Sequence, residues 1–193
     1  GCLQAQNRFE RFSKTKFVEI PFELENNFII VKVTVNQTLP LRFIFDTGAE
    51  HTILTKRELA EVLRMKFEKE FQIMGADMMT ILVAYLARRV RLDVGEAISP
   101  VHDLLVLKED YIRIDEYSGK SIHGILGADF FRHFVVKIDY EKRKITLFNY
   151  KYFRRDKYGE PLQLELIRNK PYLFAQTEIA PDTTVNLKYL LDT

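Results

Sequence analysis

An acid, a hydroxyl and a glycine, Asp46-Thr47-Gly48, follow directly on the largely apolar run Leu41-Arg42-Phe43-Ile44-Phe45. A carboxylate at the end of such a strand is costly to bury unless hydrogen bonds or a functional partner hold it. It is also a candidate general acid or base, because loops at the ends of strands carry catalytic groups on a rigid support. Gly48 lets the backbone turn sharply and brings its amide toward the carboxylate with no Cβ in the way. Thr47 can send its hydroxyl to a neighbouring backbone group or to a second copy of the same loop. The plain alternative is an Asp-Gly turn between two strands, Phe43 to Phe45 and Thr52 to Leu54.

A second informative stretch is Ser121-Ile122-His123-Gly124-Ile125-Leu126-Gly127-Ala128-Asp129-Phe130-Phe131. Two apolar residues end at Gly127, and a short helix is expected from about Ala128 with Asp129 in its first turn. Asp129 therefore reads as structural rather than catalytic.

The elements that must position these groups are mostly strands. Val18, Ile20, Phe22 and Leu24 alternate, Asn26-Asn27 supplies a turn, and Ile29, Val31, Val33 and Val35 alternate again. Thr55-Lys56-Arg57-Glu58 reads as a capping box opening a short amphipathic helix that ends before Phe67. From Phe71 to Tyr85 the pattern is uneven, interrupted by Gly75 and crowded by Met74, Met78 and Met79. Either a mobile hairpin that closes over a ligand or a plain packed hairpin fits it. Strands are expected over Leu86 to Val94 and Val101 to Leu107. A hairpin should form around the exposed charges of Glu141-Lys142-Arg143-Lys144.

The chain has 193 residues, nearly half of them hydrophobic, so a substantial core can form. Its net charge of +2 gives no general attraction for nucleic acid. No apolar run reaches the length of a membrane span. The lone cysteine, Cys2, excludes an internal disulfide and a multi-cysteine metal site. Cys2-Leu3-Gln4-Ala5 reads either as the tail of a signal peptide or lipoprotein signal, giving an extracytoplasmic location, or as an ordinary N-terminus. His51, His102, His123 and His133 show no ligand spacing, and no cofactor or metal is expected.

The strand ending in Asp46-Thr47-Gly48-Ala49, followed some eighty residues later by Ile125-Leu126-Gly127, resembles one lobe of the retropepsin/pepsin-like aspartic proteases. Ile125 to Phe130 followed by Lys137-Ile138-Asp139-Tyr140 is similar to the single-lobe retropepsin-like domains of bacterial proteins. The resemblance covers Phe17 to Phe148. It implies a mainly β protein, a closed β-barrel lobe with one or two short helices. It also implies that Gly127 lies near Asp46, and that Thr47, Gly48, Ala49, Ile125, Leu126 and Gly127 support the acid. The hairpin at Met74, Gly75 and Ala76 would be the flap over a polypeptide substrate. Chemistry of this kind needs two carboxylates sharing one proton, so that one takes a proton from water while the other serves the substrate carbonyl.

A candidate for the second acid lies at the far end. Lys188-Tyr189-Leu190-Leu191-Asp192-Thr193 repeats Arg42-Phe43-Ile44-Phe45-Asp46-Thr47 in residue character. Upstream, Tyr172, Phe174 and Ile179 keep the spacing of Phe28, Ile30 and Val35. The chain thus divides into an extension (residues 1–16), a complete lobe (17–149), and a connector with the first strands of a second lobe (150–193). The expected function is an aspartic endopeptidase with Asp46 and Asp192 as its acids. A homodimer pairing two copies of Asp46 is a second route to the dyad. Because Asp192 is penultimate, the 193-residue chain is expected to be inactive or weak as a monomer. The rival from another class is a non-catalytic peptide-binding or scaffolding domain on the same fold.

Overall fold

The computed structural model describes residues 16–75, 79–95, 97–98, 101–155 and 159–193. Cys2 to Ala5, Ala76 and Met78, singled out above, lie outside the described residues. The protein is mainly β, and the expected strands form largely where alternation places them. One difference comes early. The run from Phe17 to Leu24 divides into β1 (Phe17–Pro21) and β2 (Glu23–Glu25), which join different sheets. The break follows Pro21, which has no amide to donate to a ladder. Val18, Ile20 and Phe22 still point into the core.

Beyond them come β3 (Phe28–Val35), β4 (Leu39–Phe45), β5 (Ile53–Leu54), helix α1 (Arg57–Val62), β6 (Phe67–Met74), β7 (Ile81–Val90), β8 (Leu92–Val94) and β9 (Ala97–Ile98). Then follow β10 (His102–Leu107), α2 (Ile114–Ser118), β11 (Gly124–Leu126), α3 (Ala128–Phe131), β12 (Val135–Asp139) and β13 (Lys144–Phe148). The main sheet runs in the order β6-β7-β10-β5-β11-β4-β3-β8-β9, with β2 added on β3. Its hydrogen-bonded path ends at β6 and β9 and does not close into the expected barrel. A separate sheet, β1-β13-β12, contributes to the same core instead. Val18, Ile20, Ile145 and Leu147 pack in one cluster with Val31, Val33, Phe43 and Phe45. Fully burying each such side chain contributes about 1.5–3 kcal/mol, so this junction holds β4 firmly.

The described residues contain three short helices rather than one or two; the additional one is α2, a single turn whose Ile114 packs with Ile30 and Ile44. The expected capping box at α1 does not form. Lys56 occupies the N-cap position with no side-chain cap bond. Thr55 is buried, and its amide donates to the His123 carbonyl at 2.9 Å. Tertiary pairing with the segment before β11 has taken the residue that would have capped the helix.

A third sheet consists of β14 (Glu165–Ile167), β15 (Lys170–Ala180) and β16 (Thr183–Leu190), in that order. It repeats the meander β2-β3-β4. In both copies the first turn places two successive residues at positive φ, Asn26-Asn27 in one and Arg168-Asn169 in the other. The register corrects the sequence alignment. Ile30 faces Ile44 and Tyr172 faces Leu190, so each lies opposite the residue two before an aspartate. Tyr172 is thus the counterpart of Ile30, not of Phe28. The second meander has longer arms, which no spacing argument could distribute between its two strands.

Candidate active site

β4 is hydrogen-bonded on one side to β3 and on the other, in parallel, to β11, with Phe43 opposite Gly124, Ile44 opposite Ile125 and Phe45 opposite Leu126. Apolar residues on a buried central strand need this pairing on both sides to satisfy the backbone. The ladder delivers Asp46 to a defined place, where its amide donates to the Leu126 carbonyl at 3.1 Å. The chain then folds back on the carboxylate. Asp46 Oδ1 accepts from the amides of Gly48 at 2.7 Å and Ala49 at 3.0 Å. Gly127 crosses beside this loop so closely that a Cβ there would strike the His51 carbonyl. Ile125 lies between Ile44 and Ile53, and Leu126 is fully buried.

Asp192 arrives from the end of the second meander. A Cβ on Gly48 would stand 2.5 Å from Asp192 Oδ1, so only glycine leaves room for this carboxylate. Two threonines fasten the loops together. Thr47 Oγ1 donates to the Leu191 carbonyl at 2.7 Å, and Thr193 Oγ1 donates to the Phe45 carbonyl at 3.0 Å. The Thr47 amide also donates to Thr193 Oγ1 at 3.2 Å. Each hydroxyl thus grips the carbonyl immediately before the opposite aspartate. Burial pushes the Asp46 carboxyl up to about 6, and the hydrogen bond and charge of Asp192 add to the rise, against the lowering by the Gly48 and Ala49 amides. Two carboxyls this close favour a state with one proton between them.

The β6–β7 hairpin stands at one end of the main sheet, with β7 paired to β10. Near its tip the Gly75 amide donates to the Thr80 carbonyl at 2.8 Å, and Met74, 69% exposed, faces Ile81. Between this hairpin and the rest of the molecule lies a groove of about 560 Å³. Phe71, Ile73, Leu86 and Leu105 give it an apolar wall, and Asp103 and Arg132 give it charge. Asn169, from the turn of the second meander, also lines it. Arg168 beside it approaches Glu50 at 3.8 Å, a long and exposed ion pair worth little by itself.

Two supports around Asp46 were not visible in the sequence. Asp129, read there only as a first-turn helix acid, binds Thr52 instead, through the Thr52 amide at 2.9 Å and hydroxyl at 2.6 Å. His123 completes the ladder beside β4: its Nδ1 accepts the Arg42 amide at 3.0 Å, while its own amide donates to the Arg42 carbonyl at 2.8 Å. An imidazole accepting at Nδ1 is neutral, and burial, then the nearby Lys56 charge, holds His123 below the usual range. Among the described residues, no three His, Cys, Asp or Glu side chains gather as a metal set, and no helix is long and apolar enough to cross a membrane.

Residues 31–130 match the family model described as aspartyl protease. Among solved structures the chain is similar to a retropepsin-like aspartic protease from Rickettsia conorii, at 18% identity over 69% of this chain and 100% of that one, with a TM-score of 0.47. No curated protein matches the chain. The family match runs from β3 through the Asp46 loop and the β6–β7 hairpin into α3, just over half of the sequence, and the chain belongs to the aspartyl protease family.

Proposed function

We propose that the protein is an aspartic endopeptidase in which Asp46 and Asp192 of one chain form the catalytic dyad. The observation that carries this reading is the approach of the two carboxyls under reciprocal threonine bonds, with Asp46 raised to about 6. In a singly protonated pair, the ionised carboxyl takes a proton from water as it attacks the peptide carbonyl, and the protonated one donates to the carbonyl oxygen. Thr47, Gly48 and Ala49 hold Asp46, while Ile125, Leu126 and Gly127 support the strand that delivers it. Neither aspartate lines the groove beside the β6–β7 hairpin, which reaches the Asp46 loop through His51 and Asp129; in this reading it takes the flanking part of an extended polypeptide, and Met74 and Gly75 act as the flap.

The dyad in this reading is intrachain, so the intact protein needs no second copy to assemble it. A homodimer pairing two Asp46 loops would first have to release Leu191 and Thr193 from Thr47 and Phe45. Residues 150–193 then act as the opening part of a second lobe. The test is hydrolysis of an unstructured polypeptide by the full-length protein and by its Asp46→Asn and Asp192→Asn variants. Loss of turnover in both, with folding retained, supports the dyad. Full activity in either one overturns it. Peptide binding without turnover by the unaltered protein would make it a peptide-binding domain.

A further inference from the structure

Asp129 lies in the first turn of α3, and its carboxylate turns back on the loop that follows Asp46. Oδ2 accepts the Thr52 amide at 2.9 Å and Oδ1 the Thr52 hydroxyl at 2.6 Å. The Thr52 oxygen accepts in turn from the Gly127 amide at 3.1 Å. Thr52 is fully buried, so these bonds are sheltered from water. Short O–H···O⁻ bonds to a carboxylate are about twice as strong as neutral ones.

The loop from Asp46 to Thr52 is thereby fixed along its length to one short segment. At its start, Leu126 accepts the Asp46 amide; in its middle, the Ala128 amide donates to the Ala49 carbonyl at 2.8 Å. At its end, the Asp129 side chain reaches the loop through its bonds to Thr52. The Leu105 amide also holds the Thr52 carbonyl, at 3.1 Å, and Asp129 adds bonds to the amide and hydroxyl of that same residue, three positions after the Ala49 amide that holds the Asp46 carboxylate.

We propose that Asp129 is a positioning residue for the catalytic aspartate: acting through Thr52, it sets the path of the loop and so the orientation of the Asp46 carboxyl toward Asp192. This rests on the reading of Asp46 as a catalytic acid. Asp129 itself exchanges no proton with substrate. An amide in its place keeps one acceptor and turns an N–H₂ group toward a donor.

The test uses the full-length protein with Asp129→Asn, Thr52→Val and Thr52→Ser. Steady-state kinetics is followed on polypeptide substrate, and hydrogen exchange on peptides covering residues 46–52 and 28–35. Asp129→Asn and Thr52→Val should each lower kcat at least tenfold with KM within twofold. Exchange over 46–52 should quicken about tenfold with no change over 28–35. Thr52→Ser, which keeps the hydroxyl, should restore both, and the double variant Asp129→Asn with Thr52→Val should be no worse than the poorer single. Unchanged kcat and loop exchange overturn the proposal, as does a loss spread equally over both peptides, which is general destabilisation. If the unaltered protein hydrolyses nothing, the endopeptidase reading fails. Local loosening of the loop in that case still supports the Asp129 support, and its absence still overturns it. Should Asp129→Asn not fold, the Thr52 pair decides by the same readouts.

Discussion

Thr47 and Thr193 occupy equivalent places about a local two-fold relation: each hydroxyl donates to the carbonyl just before the opposite aspartate, at 2.7 Å to Leu191 and 3.0 Å to Phe45. Neither bond belongs to a ladder of the main sheet, so their effect falls on how the two acids meet. Thr47→Val keeps the shape but leaves the Leu191 carbonyl without this donor. A net loss of about 0.5–1.5 kcal/mol is expected for the contact between the meanders. In activity, a drop of roughly tenfold should accompany it, since 1.4 kcal/mol is a factor of ten. Thr47→Ser should retain most of the rate, and equal rates in Val and Ser variants would show that the hydroxyl is irrelevant.

The raised carboxyl at Asp46 makes a signed prediction about pH. Its folded value, about 6, lies above the ordinary 3.8, so the folded state holds its proton more tightly than the unfolded chain. The associated stability is present in full below the ordinary value and is lost as pH rises through about 6. Asp46→Asn removes the cost of an ionised buried acid, so its Tm should exceed that of the unaltered protein at pH 8 but not at pH 3. Allowing for solvent screening, the gain is of order 1 kcal/mol, or about 2–4 °C. Turnover of the unaltered protein should fall over the same interval, as the shared proton is lost.

His123 has the opposite sign. Its folded value is lowered, by burial first and then by Lys56, so its contribution is present above the ordinary value of 6.5 and is lost as pH falls through the lowered one. Protonation removes the Nδ1 acceptor that the Arg42 amide uses beside Asp46's own strand. His123→Gln can offer a neutral oxygen there, and its stability should fall less steeply on acidification than that of the unaltered protein. Parallel acid-unfolding curves for the two would remove His123 from the account.

What the sequence reveals follows the range over which each cause acts. The apolar run from Leu41 to Phe45, the glycine after Asp46 and the repeat ending at Asp192 are local signals, and all three are legible in the sequence. Leu126 and Gly127 could be placed near the acid only through family resemblance. The Thr52–Asp129 bonds join residues 77 apart, and neither residue carries a pattern that names the other. Thr55 misled for a related reason: the local capping signal is real, but its amide is drawn to His123 by strand pairing. The open sheet path was not legible either, because β1 pairs with β13 outside the main sheet and alternation alone reads through the proline that parts it from β2.

Gly48 offers the sharpest test of whether the two acids meet as described. Gly48→Ala places a methyl group where Asp192 Oδ1 lies, only 2.5 Å away, and a carboxylate oxygen must move by about an ångström to reach ordinary contact. The core is untouched, so Tm should change by little. The hydrogen bond and charge of Asp192 are the second and third contributions to the raised Asp46 carboxyl, after burial. Driving Asp192 away should therefore lower the Asp46 value from about 6 part of the way to 3.8, burial keeping it above the ordinary range. Carbon-detected NMR titration of Asp46 reads this directly, without reference to turnover. Activity should fall by about a hundredfold or more, since an ångström of misplacement is enough to cost that much. A variant with an unshifted Asp46 titration and full turnover would mean that Asp192 does not stand over Gly48 when the protein works. The second acid would then have to come from the Asp46 loop of another molecule, and the rate per molecule would rise with protein concentration.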